Sequence, residues 1–470
     1  MLVLSPDALA DLCAAAGEGG WTSDPEELAP HLVDWRGKVH GASGLLLRPA
    51  TTAAVAAIVG AAARHRVALV AQGGNTGLVG GGIPDASGEA VLVSLARLNR
   101  IRAVDAAGLT LTAEAGVILS TVHDAALAAG CVFPLSLAAK GSATIGGLVS
   151  TNAGGVQVLR HGTMRALVTG LEAVLPDGSI LDQITGLSKD NSGYDIKQLL
   201  IGGEGTLGIV TAAALRLVPA PAHRAVAWAG VDDPHAALAL LGRLRRASGG
   251  QVESFELIPG SGVDLVLRHM TGHRAPLSGE HRWHVLIELA GEPSLDDVLE
   301  TALGEAAAAG EIADATLARS GAQAAALWRI REELPDAERR DGPSLHHDIS
   351  VAVAALPGFA AAATERVESI FAGARVLAFG HLGDGNLHFN VRPPAAADAS
   401  AWVAAHGDAV TALVFDLVTT AGGSISAEHG IGSIKRGDLA RLGNPAKLAA
   451  MRAVKAALDP LGIMNPGKVV

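Results

Sequence analysis

Gly202-Gly203-Glu204-Gly205-Thr206-Leu207-Gly208 contains a literal G-x-G-x-x-G, the pattern that opens a nicotinamide-binding parallel sheet. Such a site needs a strand before the glycines, a helix opening inside them and an acidic residue about 20 positions further on. The next residues here are Ile209-Val-Thr-Ala-Ala-Ala-Leu-Arg-Leu-Val218, which read as a strand and are ended by Pro219-Ala220-Pro221. The motif is therefore a decoy, introducing a strand rather than the helix of a doubly wound fold. Pro219 to Pro221 also marks a domain boundary.

Upstream, a strand (Leu45 to Arg48), a helix (Thr52 to His65, capped by Thr51 or Thr52) and an apolar strand (Val67 to Ala71) make a β-α-β unit. Residues 1 to 40 lead into it, with one helix from Pro6 to Ala16. Directly after the unit comes Gln72-Gly73-Gly74-Asn75-Thr76-Gly77-Leu78-Val79-Gly80-Gly81-Gly82. Glycines there let backbone N–H groups turn inward as an anion nest, although a flexible loop has the same composition. A second tract, Pro134 to Gly155, is dense in small residues and hydroxyls, which suits either contact with a flat ligand or a tightly packed loop. Two strands come next, from Ala166 to Leu175 and from Ser179 to Asp182, joined by the Pro176-Asp177-Gly178 turn.

Beyond Pro221 the texture shifts to Ala/Leu helices (Pro234 to Ala247, Leu295 to Ala309, Ala322 to Glu333) separated by short strands (Ala225 to Val231, Trp283 to Leu289). That alternation predicts an α+β domain with an antiparallel sheet. A long helix from Ala399 to Ala421 carries core positions and is broken by Gly422-Gly423. The stretch Phe379-Gly380-His381-Leu382-Gly383-Asp384-Gly385-Asn386-Leu387-His388-Phe389-Asn390-Val391 reads as a hairpin turning at Asp384-Gly385. A two-residue turn there pairs Leu382 with Leu387 and sets His381 opposite His388, with Cβ atoms roughly 5 Å apart. Asn390 shares their face.

Two imidazoles so placed can share one divalent ion, zinc in first place, with a third protein ligand and an open position for substrate. The third candidate is Glu428 in Ser424-Ile425-Ser426-Ala427-Glu428-His429-Gly430-Ile431-Gly432, leaving His429 as a base. Surface histidines on a hairpin and an ordinary Glu-His loop pair are the alternative.

The 470 residues exceed what one core supports, so two or more domains are expected. A net charge of -11 argues against a nucleic-acid partner. Cys13 and Cys131 are the only cysteines, which rules out a disulfide framework or thiolate zinc site. The N-terminus lacks a basic leader region, and no run of about 18 uninterrupted apolar residues occurs. A soluble protein of the cytoplasm is expected.

The three glycine-rich stretches, Gly380-His381-Leu382-Gly383-Asp384-Gly385-Asn386-Leu387-His388, Ala427-Glu428-His429-Gly430-Ile431-Gly432 and the final Asn465-Pro466-Gly467-Lys468 together resemble one family. It is the flavin-dependent, PCMH-type (vanillyl-alcohol-oxidase) family, and within it the D-2-hydroxyacid dehydrogenases: the D-2-hydroxyglutarate and D-lactate enzymes and the flavin subunit of glycolate oxidase. The likeness runs roughly from Val33 to Lys468. It implies an α+β protein with a two-subdomain FAD-binding domain over 1–220 (core about 40–220), a substrate or cap domain over 221–420 and a segment over 421–470 returning to the flavin.

By matching motifs, Gly73, Gly74, Asn75, Thr76 and Gly77 would wrap the FAD pyrophosphate. Pro134, Gly141, Ser142, Gly146, Gly147, Ser150, Asn152 and Gly154 would line the cofactor, Gly205 and Ile209 would contact its adenine half, and Leu78 and Asn465 complete the set. The first loop has no His or Cys to tether flavin, so FAD is expected to be non-covalent. The resemblance places the metal on His381, His388 and Glu428, the base on His429, Asn390 beside the substrate, and a substrate-carboxylate clamp on Arg331. Without it, Arg331 reads equally well as a solvated helix-face arginine.

Two departures stand out. Hydroxyglutarate-type enzymes carry a threonine four residues after that arginine and a lysine downstream, both holding a distal carboxylate. Pro335 and His346 occupy those places, so the substrate is left between the hydroxyglutarate and lactate types, with His346 or His347 as a replacement donor. The expected reaction is metal-assisted oxidation of a D-2-hydroxy acid to the 2-keto acid by hydride transfer to flavin N5, with a quinone or electron-transfer flavoprotein as acceptor and a homodimer possible. A flavin-dependent transferase of the alkyl-glycerone-phosphate synthase type is the alternative, and a metallohydrolase a more distant one.

Overall fold

The computed structural model describes residues 4–187, 189–292 and 295–470. The first three residues of the N-terminal lead-in lie outside them. Two compact units divide the chain: Met1–Gly155, Gly162–Ala220 and Glu428–Val470 form one, Val156–His161 and Pro221–Ala427 the other.

In the first unit the helix Thr52–His65 starts where Thr51, in extended conformation, accepts the Ala54 N–H at 3.1 Å, and it buries Val55, Ile58, Val59 and Ala62. The strands on either side of it, Leu46–Leu47 and Leu69–Gln72, both run parallel to Val91–Ser94, which lies between them. This is the expected β-α-β unit, with Val91–Ser94 added as a strand that composition did not single out. A five-stranded antiparallel sheet comes next, in the order Ile101–Asp105, Thr110–Glu114, Ile209–Arg216, Val168–Val174, Ile180–Gln183. Ile209–Arg216 is paired on both sides, so the G-x-G-x-x-G does lead into a strand. The strand expected from Ala166 opens later, because Met164–Leu167 is a helical turn: Arg165 N–H donates to Asn152 Oδ1 and its guanidinium to Gln198 O.

The second unit is built on one seven-stranded sheet in the order Asp314–Leu317, His223–Val231, Trp283–Gly291, Val252–Pro259, Arg375–His381, Asn386–Arg392, Leu345–Ser350. Every neighbouring pair is antiparallel, as the α+β reading requires. Asp233 caps the helix Pro234–Ala247 by accepting the N–H groups of His235 and Ala236. Val156–His161 joins this unit through Glu253, whose carboxylate takes Gln157 Nε2 (2.8 Å), Arg160 Nη1 (2.9 Å) and His161 Nε2 (3.2 Å). Burial opposes its ionisation, yet the hydrogen bonds from His161 and Gln157 and the charges of His161 and Arg224 hold its pKa at about 2. The helix Ala399–Thr420 buries Val410, Val414, Phe415 and Val418 along one stripe, the core role expected of it.

Candidate active site

The loop from Gln72 to Gly82 is held on one side by the N-terminal lead-in. Gln72 Oε1 meets His31 Nδ1 at 2.5 Å, and Asn75, left-handed at φ 52°, donates Nδ2 to Val33 O at 2.9 Å. On the other side the backbone presses against the second glycine tract. A Cβ on Gly74 would stand 1.9 Å from Ser142 O, and one on Gly73 2.3 Å from Thr144 Oγ1. Thr144 Oγ1 and Asn465 Oδ1 are buried without a hydrogen-bond partner among the described residues. Asn465 Nδ2 bridges Gly81 O (2.9 Å) and Glu204 O (2.6 Å). Unpartnered buried acceptors and hydroxyls beside a glycine cradle fit a polar, phosphate-bearing cofactor.

Not every residue expected at the flavin is free for it. Asn152 caps the helix Ile145–Thr151 and uses its Oδ1 on Arg165, Gly146 packs within 2.7 Å (as a Cβ) of Ala115, and Ile209 lies in the hydrophobic core. Pro134 and Gly154 are buried, Leu78, Thr76 and Ser150 partly buried, and Gly77, Gly141 and Ser142 reach the surface or its edge. Gly205, at φ 73°, sits against Asn465. Overpacking typically costs about 1–3 kcal/mol, so Gly74→Ala is expected to weaken flavin retention roughly tenfold or more. Flavin content after gel filtration checks this; wild-type content in a folded variant contradicts it.

Glu204, the acid inside the decoy motif, has a use that spacing did not reveal. Its buried carboxylate accepts the N–H groups of Ile431 and Gly432, each at 2.8 Å. It thereby fixes the loop that comes after Glu428 and His429. Burial raises the Glu204 pKa against those two donors and the charges of Lys435 and Lys468.

In the second unit the hairpin differs from its expected register. His388 pairs with Phe379 rather than His381, and Asn390 with Leu377. The turn is longer: His381 O accepts from both Asp384 N (3.3 Å) and Gly385 N (3.1 Å), and the strands stop at His381 and resume at Asn386. The reason lies in Asp384, which keeps negative φ and accepts the Asn386 N–H at 3.0 Å, so that only Gly385 (φ 86°) is left-handed. A shift of two preserves the face of every side chain. The His381 and His388 rings therefore still meet, 5.6 Å between centroids.

His381, His388 and Glu428 each offer a ligand atom, all within 4.8 Å of one another. Two bonds of about 2.1 Å to one ion span at most about 4.2 Å, so small side-chain rotations suffice. Glu428 directly succeeds Ala427, whose N–H reaches Asp348 O at 3.4 Å on the strand beside His388. The donor set of two imidazoles and a carboxylate fits zinc or a similar ion.

Behind His381 stands Glu256, a residue the sequence reading missed. Its Oε1 lies 2.6 Å from His381 Nδ1 and its Oε2 2.8 Å from Arg331 Nε. Complete burial works against ionisation, yet the charges of His381 and Arg331 prevail and hold the Glu256 pKa at about 2. A carboxylate on Nδ1 fixes the ring so that Nε2 is the nitrogen able to bind an ion. Arg331 is only 7% exposed, which removes the solvated reading, and its guanidinium lies 5.0 Å over the Phe379 ring. Its terminal Nη groups have no hydrogen-bond partner among the described residues.

Asn390 and His346 pair across neighbouring strands on the same face. Asn390 Nδ2 donates to Glu338 at 2.7 Å and His346 Nε2 lies 3.2 Å from Ser344 Oγ. His347 points the other way, onto Phe389 O and Thr411 Oγ1, so His346 is the histidine on the site face. Pro335 opens the helix Leu334–Asp341, a first-turn position that suits proline.

Residues 44–183 match the family described as FAD binding domain, and residues 220–469 the family described as FAD linked oxidases, C-terminal domain. The chain belongs to the FAD-linked oxidase family, of PCMH type, and is an FAD-dependent oxidoreductase. A D-2-hydroxyglutarate dehydrogenase, mitochondrial, of Arabidopsis thaliana is 37% identical across 97% of this chain and 80% of its own length. A D-2-hydroxyglutarate dehydrogenase of Xanthomonas citri pv. viticola is 38% identical across 95% and 93%. Among solved structures, p-cresol methylhydroxylase shares the fold with a TM-score of 0.77 over 98% of this chain and 96% of that one, at 16% identity.

The cytoplasmic placement is corrected by these relatives, since the eukaryotic ones are named as mitochondrial. Having only two cysteines excludes a disulfide framework and does not choose among reducing compartments.

Proposed function

We propose that this enzyme oxidises a D-2-hydroxy acid to its 2-keto acid, using non-covalent FAD and a divalent ion held by His381, His388 and Glu428. The grouping of those three donors within 4.8 Å, backed by Glu256, carries the reading. The names of the relatives, D-2-hydroxyglutarate dehydrogenases, support the same substrate class. When bound, FAD supplies an acceptor for the hydride leaving Cα. When bound, the ion supplies a Lewis acid that makes the α-hydroxyl easier to deprotonate.

The chain's own residues do the rest. His429 takes the hydroxyl proton as the Cα–H bond gives up its electron pair and the C–O bond becomes a carbonyl. Arg331 offers its Nη edge to the first carboxylate, for which a planar fork is better matched than a point charge. Asn390 and His346 orient the substrate further along the strand, and Gly73, Gly74, Thr76, Ser142, Gly147 and Asn465 cradle the cofactor. On this reading the first unit is the FAD-binding domain and the second the substrate domain. Electrons then leave to a quinone or an electron-transfer flavoprotein.

A transferase of the alkyl-glycerone-phosphate synthase type shares only the fold-level argument. Anaerobic addition of D-lactate, D-malate, D-2-hydroxyglutarate or glycolate to the flavin-loaded protein decides between them. At least one D-2-hydroxy acid is expected to bleach the flavin; no bleaching by any of them contradicts oxidation.

A further inference from the structure

The helix Leu334–Asp341 carries a carboxylate on its apolar stripe. Leu334, Ala337 and Glu338 are buried together at helical spacing, and Glu338 is 0% exposed. Its Oε2 accepts Asn390 Nδ2 at 2.7 Å and lies 3.6 Å from His346 Nε2. Its Oε1 is buried and hydrogen-bonds to nothing among the described residues. A buried acceptor without a donor is unfavourable, and is retained where something else completes it.

The position of that oxygen says what completes it. Asn390 is two residues beyond His388 on one strand face, roughly 7 Å along it, and His346 is its cross-strand partner. A hydroxy acid whose reacting end lies at His381, His388 and Arg331 extends its other end toward Asn390, His346 and Glu338. The remaining charges there are already matched. Arg392, two residues further on the same face, pairs with Asp341, which also takes His269 Nε2 at 2.6 Å and lies 3.7 Å from Arg268. Arg392 also lies close enough to act electrostatically on Glu338, but its guanidinium pairs with Asp341, so Glu338 Oε1 is left as the acceptor facing the distal end, with His346 beside it.

We propose that Glu338 is the specificity-determining residue for the distal end of the substrate. Its Oε1 accepts from a hydroxyl, amide or ammonium group there, and the carboxylate disfavours a second carboxylate at that point. Like charges brought together away from water oppose binding, whereas a site built to accept a hydrogen bond discriminates strongly for its donor. The inference rests on the hydroxy-acid reading of the site and departs from the dicarboxylate in the relatives' names. It accounts for Pro335 and His346 standing where a hydroxyl and an ammonium would hold such a carboxylate.

The test compares D-2-hydroxyglutarate with its isosteric 5-carboxamide, using D-2-hydroxybutanoate as a reference with no polar distal group. Anaerobic flavin-reduction efficiency is measured on the FAD-loaded wild type, Glu338→Gln and Glu338→Leu. The wild type is expected to favour the amide over the diacid by roughly tenfold or more, and both variants to lower that ratio by a similar factor. A wild type that prefers the diacid overturns the proposal without need of any variant. So does an amide-to-diacid ratio that is the same in all three proteins. If the reference and the diacid reduce flavin but the ratios do not move, the specificity assignment alone falls; if no hydroxy acid reduces flavin, the hydroxy-acid reading falls and takes this inference with it.

Discussion

His429→Ala is expected to keep its flavin and to slow flavin reduction by the D-2-hydroxy acid by about 10²–10⁴-fold, the span a positioned base contributes. The loop holding His429 is anchored by Glu204 through the N–H groups of Ile431 and Gly432. Truncation at 429 leaves those two Glu204 hydrogen bonds in place. Adjacent side chains diverge, so Glu428 remains a ligand while the base is lost. Stopped-flow reduction under anaerobic conditions reads the effect. Bleaching at the wild-type rate would show that the proton goes elsewhere.

The second large effect is expected from His388→Ala, which removes one of three ion ligands. Bound metal should fall below what elemental analysis detects, and flavin reduction should drop at least about 10²-fold, since the ion's Lewis-acid contribution is worth several kcal/mol. His388 is the better choice than His381 for a physical reason. Removing His381 strips Glu256 of one of its two partners inside a fully buried site, and breaking such a pair typically costs about 3–5 kcal/mol of stability. His381→Ala thus mixes unfolding with loss of metal, whereas His388→Ala leaves the buried Glu256–Arg331–His381 bonds in place. A His388→Ala protein that still binds one metal per chain would remove that residue from the ligand set.

Much of the architecture could be read from local patterns. The helices Pro6–Ala16, Thr52–His65 and Pro234–Ala247 coincide with their expected bounds, because Ser5, Thr51 and Asp233 cap them by side-chain acceptance from the first turn. The strand after the decoy motif was legible because Pro219 forbids a continuing helix and the β-branched Ile209, Val210 and Thr211 open the run. The hairpin was legible in its faces and not in its register. Parity survives a shift of two, whereas turn length depends on whether Asp384 adopts positive φ, and its side-chain bond to Asn386 settled that locally.

The features that escaped are tertiary. Glu204 sits in a glycine run, Glu256 in an apolar strand and Glu338 in a charged helix, and a linear pattern does not say which distant donor each one meets. Glu256 finds Arg331 and His381 from another strand and a helix, and Glu338 finds Asn390 from the neighbouring sheet strand. A carboxylate between two large apolar residues, Phe255 and Leu257, is the one signal that could have flagged Glu256. The N-terminal lead-in escaped for a similar reason: His31, Pro30 and Val33 bind the glycine loop through side chains of Gln72 and Asn75, at sequence separations of 41, 45 and 42.

Metal-assisted oxidation is tested most directly by anaerobic reduction of the FAD-loaded protein by its D-2-hydroxy acid, run before chelation, after removal of divalent ions, and after zinc is restored. Full bleaching, then at most about a hundredth of the initial rate with flavin still bound, then recovery on adding one equivalent of zinc is the result predicted. Undiminished bleaching of a protein shown to be free of metal would contradict it.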